Sequence, residues 1–252
     1  MKIKRILVSQ PQPDPTLSPF GKLAERTGVE LVFRPFIHVE GVTSYEFRKQ
    51  RIDLTKFPSV IFTSRTAVDH FFRLAEEIRY NVPETTRYFC NSENVALYLQ
   101  KYTVYRKRKI FFPADGAMES LVKMMDKYKK ERFLLPLADV HKPDVPKLLR
   151  KEGIRFTKVI THRTVSSDLS DVDISQFDLL VFYSPQGIKS LTENFPDFVQ
   201  GDVSIAAFGA TTHKAVKAAG LMLQVPVPTP TCKSMTEALE AYIGEQNGQS
   251  TT

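Results

Sequence analysis

The sequence predicts an α/β fold of two doubly wound parallel sheets, about five strands each. Three observations predict it. Short β-branched or aromatic runs alternate with helical patterns along most of the chain. About ten such runs are too many for one sheet of ordinary size. A strand-to-helix turn in the first half has a counterpart in the second.

The strand-like runs lie at residues 3–9, 29–33, 59–63, 87–90, 104 or 110–112, 133–137, 156–161, 179–184, 203–209 and 223–227. Between them, residues 66–80 set Ala67, Val68, Phe71, Phe72, Ala75 and Ile78 on one helical face. Residues 145–152, 211–219 and 234–243 read the same way, and 123–132 reads as the polar side of a helix carrying Leu121, Val122, Met124 and Met125. Gly28, Gly153 and Gly220 each follow a helical pattern and precede a strand, which suits a left-handed helix stop. The polar tail, residues 245–252, is expected to fray.

The repeat pairs Val60-Ile61-Phe62-Thr63-Ser64 with Leu180-Val181-Phe182-Tyr183-Ser184. In each, an apolar strand ends in a hydroxyl residue and a serine, and a helix begins. A second turn follows 26 positions after Ser64, at Cys90-Asn91-Ser92, and 25 after Ser184, at Gly209 to Thr212. The halves therefore read as related units.

Composition excludes several classes. Of 252 residues, 42% are hydrophobic and 25% charged, which is ordinary globular usage. That is unlike a disordered chain, a collagen repeat or a disulfide scaffold. No apolar run approaches the roughly 20 residues of a membrane span. With no leader-like apolar segment at the start and only Cys90 and Cys232, we expect a cytoplasmic protein without a disulfide and without a membrane partner.

The 35 Lys+Arg exceed the 28 Asp+Glu by seven, and the pI is about 9.3. This fits a solvated basic surface or an anionic partner. Basic residues concentrate at 106–109 and 123–132, without interleaved aromatics and without a helix-turn-helix, zinc-finger or RNA-recognition signature. A small polyanion therefore suits the charge better than nucleic acid.

The candidate chemistry lies in hydroxyl turns. A Ser or Thr at a strand's carboxyl end caps the next helix, whose free N–H groups face the edge where open α/β sheets bind ligands. Thr63-Ser64, Ser184 and Thr211-Thr212 sit at such places. They suit carboxylates held in a cleft by two domains; plain N-capping is the alternative for each. No phosphate loop, dinucleotide fingerprint or G-x-S-x-G elbow occurs, so we expect no nucleotide cofactor and no α/β-hydrolase chemistry. His38, His70, His141, His162 and His213 form no zinc spacing. Asp139, His141 and Asp144 share a loop, but these are ordinary turn residues and we assign no metal. Cys90 reads as a small core residue.

The order of these pieces resembles the uroporphyrinogen-III synthase family over nearly the whole chain. The matching segments are 60–68, Leu135-Pro136 with 148–153, Thr161-His162-Arg163-Thr164, 182–187, 207–212, Ala219-Gly220, and Pro228-Thr229-Pro230 with its closing helix. The resemblance implies a two-stranded linker between the domains, with crossings near 35–39 and 160–165. One domain would comprise residues 1–36 and 166–252, the other residues 37–165.

It also implies the reaction: cyclisation of the linear tetrapyrrole hydroxymethylbilane, with loss of water and inversion of the last ring, in an interdomain cleft. No cofactor is needed, and we expect a monomer. By resemblance, Thr63 and Ser64, with Ser184, Thr211 and Thr212, contact the substrate. At 90–93 the chain reads Cys-Asn-Ser-Glu where the family usually has glycine and then threonine, leaving Ser92 as the candidate. His162 stands where the family often has a tyrosine that helps the hydroxyl leave. Histidine can donate a proton, with an ordinary pKa near physiological pH; a linker residue without chemistry is the alternative. Ala210 replaces a usual proline. The competing class is a non-catalytic protein binding an anionic metabolite or tetrapyrrole precursor.

Overall fold

The computed structural model describes residues 2–14 and 18–248. In chain order the elements begin β1 (Arg5–Val8), α1 (Pro19–Thr27), β2 (Glu30–Phe33), β3 (Ile37–Gly41), α2 (Ser44–Lys49), β4 (Ser59–Phe62), α3 (Arg65–Glu77), β5 (Arg87–Cys90) and α4 (Glu93–Tyr98). They continue with β6 (Ile110–Phe111), α5 (Met118–Met125), β7 (Phe133–Ala138), α6 (Asp144–Lys151), β8 (Phe156–Ser166), β9 (Leu179–Phe182), α7 (Pro185–Asn194), β10 (Ser204–Phe208), α8 (Ala210–Ala218), β11 (Val225–Val227) and α9 (Met235–Asn247). The chain divides into two units, Met1–His38 with Val165–Thr252, and Val39–Thr164.

The terminal unit holds a sheet of order β11-β10-β9-β1-β2, with every neighbouring pair parallel. Alternation along each strand splits its core into two layers. Ile6, Val8, Leu179 and Val181 pack under α1 and α9. Leu7, Leu180, Phe182 and Ile205 pack under α7 and α8.

The inserted unit's sheet has the order β3-β8-β7-β4-β5-β6; its strands from β8 to β6 pair in parallel, and β3 runs antiparallel along the β8 edge. Val60, Phe62, Tyr88 and Leu134 face α2, α3 and α4, whereas Ile61, Phe89, Phe133 and Leu135 face α5 and α6. Strand β4 is buried at all four positions, as is β9, which is why both read as uninterrupted apolar runs.

Several expectations are corrected. The second sheet has six strands, because β8 runs for 11 residues and offers an edge to β3. Val42 N–H donates to Thr161 O near one end of that pair, and Ser167 N–H to Phe36 O at the other. Of the alternatives 104 and 110–112, the strand is β6, since Ile110 and Phe111 pair with Tyr88 and Phe89. Helix α5 ends at Met125, so residues 126–132 form a 3-10 turn and loop. Helix α3 stops at Glu77, where Arg79 turns left-handed. The tail is ordered further than expected: α9 reaches Asn247, whose side-chain amide pairs with both backbone polar groups of Ile3. Residues 249–252 of that tail lie outside the described residues. Gly28, Gly153 and Gly220 take φ of 70°, 69° and 73°, the left-handed stops expected.

Candidate functional site

In the terminal unit, β1 leads to α1 on one face of the sheet and β9 leads to α7 on the other. That divergence is a topological switch point, and its carboxyl edge carries Ser9 and Ser184. Ser184 Oγ caps α7 by accepting from Gly187 N–H at 3.2 Å. Pro185 at the first helical position suits that start. Gly187 packs closely against this turn: a Cβ there would lie 3.2 Å from the Phe182 ring, a tight approach, and 3.7 Å from Ser9 Oγ, an ordinary contact. Ser9 stands beside this turn although the turn motif did not include it.

The next turn is Gly209, with φ of 89°, leading into α8. Its two threonines differ. Thr211 is exposed, whereas Thr212 is buried at 1% exposure. His213 Nε2 donates to Ala207 O and Val227 O, at 2.8 and 3.0 Å, strapping the ends of β10 and β11.

The inserted unit repeats the device. Ser64 Oγ accepts from Ala67 N–H at 3.1 Å at the start of the 13-residue α3, and the half-buried Thr63 precedes it. Asn91 Nδ2 donates to Thr63 O at 3.0 Å, coupling the β4 and β5 turns. Ser92 makes no capping bond, and its Oγ donates to Asn91 Oδ1 at 3.4 Å. Of the three hydroxyl residues, Ser64 alone caps a helix. Cys90 is fully buried, and burial pushes its thiol up to about 12, so it is core.

His162 ends the β7-paired part of β8. The residue is 7% exposed, and its ring stacks on His70 of α3, with centroids 5.1 Å apart and planes 15° from parallel. Thr161 Oγ1 lies 2.9 Å from His162 Nδ1, and His162 O accepts from Asp139 N–H. Behind the stack, Arg73 Nε donates to His70 Nδ1 at 3.3 Å. The same guanidinium reaches Val42 O, Thr161 O and the Glu77 carboxylate. It lies so close to Gly41 that a Cβ there would come within 2.4 Å of Arg73 Nη2.

This changes what His162 can do. Burial, reinforced by His70 and opposed by Asp139, pulls its pKa from 6.5 down to about 4. The expectation of a pKa near physiological pH is therefore corrected. Burial and the Arg73 charge lower His70 as well. Arg73 also fixes the His70 tautomer, because Nδ1 must accept and the neutral ring then carries its proton on Nε2. His70, Arg73 and Gly41 gave no sequence signal beyond residue type.

The remaining candidates are structural. Lys158 Nζ donates to His141 Nε2 at 2.9 Å, and His141 Nδ1 lies 2.8 Å from Ala138 O, so both ring nitrogens are engaged. Among the described residues no His, Cys, Asp or Glu cluster could hold a metal ion, and no helix is long and apolar enough to cross a membrane. Arg163, beside His162, is tied to Glu40 at 3.2 Å and to Glu46 at 2.7 Å. Glu46 also closes a capping box with Thr43, and these bonds bring its pKa down to about 2.

Residues 18–237 match the family described as uroporphyrinogen-III synthase HemD. The chain belongs to the uroporphyrinogen-III synthase family. It is 24% identical over 239 residues to the uroporphyrinogen-III synthase of Chlorobaculum parvum, covering 88% of this chain and 92% of that one. Against the enzyme of that name from Saccharomyces cerevisiae it is 26% identical over 145 residues, 51% of this chain and about half (52%) of the yeast protein. Among solved structures, the uroporphyrinogen-III synthetase of Helicobacter pylori superposes with a TM-score of 0.57 at 17% identity, over 96% of this chain and 100% of that one, a likeness of fold. The family is one of enzymes, lyases of porphyrin and heme biosynthesis.

Proposed function

We propose that this chain cyclises hydroxymethylbilane to uroporphyrinogen III, losing water and inverting the last pyrrole ring. Family membership supports the reaction. The observation that carries it in this chain is the duplicated capped helix start, Ser64 on α3 and Ser184 on α7, one in each unit. A linear tetrapyrrole presents acetate and propionate carboxylates at many points. Hydroxyls and helix-start N–H groups bind such anions without a metal or cofactor. Holding the chain ends in one geometry is the main catalytic demand, because unguided closure joins the unrearranged ring.

The contacts fall to Thr63, Ser64 and Ser92 in the inserted unit and to Ser184 and Thr211 in the terminal unit. Thr212, buried behind Thr211, supports that turn from inside. His162 assists departure of the hydroxyl. With its depressed pKa the ring is neutral at pH 7. When Thr161 Oγ1 donates to Nδ1, the proton sits on Nε2, so the ring acts as a hydrogen-bond donor rather than as an imidazolium acid.

The test is a coupled assay that generates hydroxymethylbilane in place and separates uroporphyrin isomers I and III after oxidation. Mostly isomer III with the protein, and isomer I without it, is expected. Isomer I alone from folded protein refutes the proposal; thermal stabilisation by a tetrapyrrole precursor would then establish a binding protein. His162→Phe is expected to lower kcat more than it raises KM, and unchanged turnover removes His162 from the mechanism.

A further inference from the structure

His70 is half-buried and has no part in the proposed reaction. It sits on α3, the helix that Ser64 caps, and its ring lies parallel to that of His162. His162 stands opposite Ala138, the last residue of β7, so the pair occupies the same carboxyl edge as the Ser64 turn.

The two rings are held alike. Each Nδ1 is engaged inside the fold, His70 by Arg73 Nε and His162 by Thr161 Oγ1. Neither Nε2 has a partner among the described residues, and neither is sealed from water. His141, by contrast, has both nitrogens taken. Because Arg73 donates to Nδ1, the neutral His70 ring must carry its proton on the open Nε2.

The surroundings of that N–H suit an anion. The Arg73 guanidinium stands behind the ring, so an acceptor at Nε2 meets a donor backed by a positive charge. Arg73 is itself anchored on Val42 O, Thr161 O and Glu77, and the His162 ring fixes the plane of His70. A donor fixed in advance loses little entropy on binding. The neighbouring acid does not compete, because Asp69 accepts from the Tyr98 and Tyr102 hydroxyls and from Lys101.

We propose that His70 is a second substrate contact, its Nε2–H holding a carboxylate of the tetrapyrrole beside the hydroxyl that His162 addresses. This rests on the reaction proposed above. It gives the stack two tasks, one ring for the leaving hydroxyl and one for the carboxylate that keeps it in place.

Two variants of the full chain separate this role from plain packing, in the coupled isomer assay with folding checked by circular dichroism. His70→Phe keeps a flat ring on His162 and removes the N–H. His70→Gln gives up the ring and sets an amide N–H near the place of Nε2–H. His70→Phe should raise KM for hydroxymethylbilane roughly tenfold or more, with a smaller effect on kcat. His70→Gln should recover most of that loss. In wild type with isotope-labelled histidine, uroporphyrin III, an octacarboxylate, should shift the His70 Nε2 resonance saturably. An unchanged KM in His70→Phe, a loss in His70→Gln as large as in His70→Phe, or an unmoved His70 Nε2 resonance would each overturn the proposal while wild type still forms isomer III. Isomer I alone from wild type would instead refute the reaction itself, and the contact with it.

Discussion

A buried, stacked histidine makes the inserted unit sensitive to acid, and the size of the effect follows from the geometry. In the unfolded chain His162 titrates near 6.5, and in the fold near 4. Between those values the unfolded state binds the extra proton. Stability from this ring is therefore intact above about pH 6.5 and is lost as pH falls toward 4. Complete, the loss is about 3 kcal/mol, and at pH 5 it is about 2 kcal/mol. Every group facing the ring matters. His70 and burial lower its pKa, Asp139 raises it, and Arg73 holds His70 itself near neutrality. His162→Phe keeps a flat ring on His70 and removes the titration. Urea unfolding followed by circular dichroism at pH 7 and pH 5 should show wild type losing about 2 kcal/mol more than this variant. Ring-proton NMR gives the pKa directly. Parallel stability profiles, or a His162 resonance that titrates near 6.5, would refute the reasoning.

Three further outcomes follow from neighbouring geometry. Gly41→Ala pushes the Arg73 guanidinium aside, a shift its flexible side chain makes at small cost in stability, and raises the His70 pKa; an unchanged His70 titration would show that Arg73 does not hold it. Ser64→Ala and Ser184→Ala each remove a helix cap, costing about 1 kcal/mol, and should also raise KM for hydroxymethylbilane. A stability loss with unchanged KM would leave these serines as caps only. In native protein a thiol reagent at pH 8 should label Cys232 and spare Cys90, both reacting after unfolding; two reactive thiols in the native state would contradict the burial of Cys90.

What could be read in advance, and what could not, divides along sequence separation. Strands β4 and β9 were legible because burial on both faces demands unbroken apolar runs. Ser64 and Ser184 were legible because capping is a bond to a residue three positions on. Strand β3 shows no such pattern: its middle residues His38, Val39 and Glu40 are exposed, and only pairing with the distant β8 makes it a sheet edge. Helix α2 has six residues, too few for a period, although Thr43 and Glu46 carried its capping box in plain view.

The site chemistry fails to show for the same reason. A reference pKa describes a solvated ring, and nothing beside His162 in the chain announces His70, 92 positions earlier, or the burial they share. Arg73 and Gly41 likewise meet across α3 and the end of β3. Local bonds can therefore nominate where a substrate is held, whereas the protonation state of the group beside it is a property of long-range packing. A neutral His162 at pH 7 is the consequence that matters. If the proposed role holds, lowering the pH to 5 should not activate the enzyme, because the ring ionises only near 4. A His162-dependent limb near pH 6.5 in the kcat profile would instead mean that substrate binding reorganises the His70 stack.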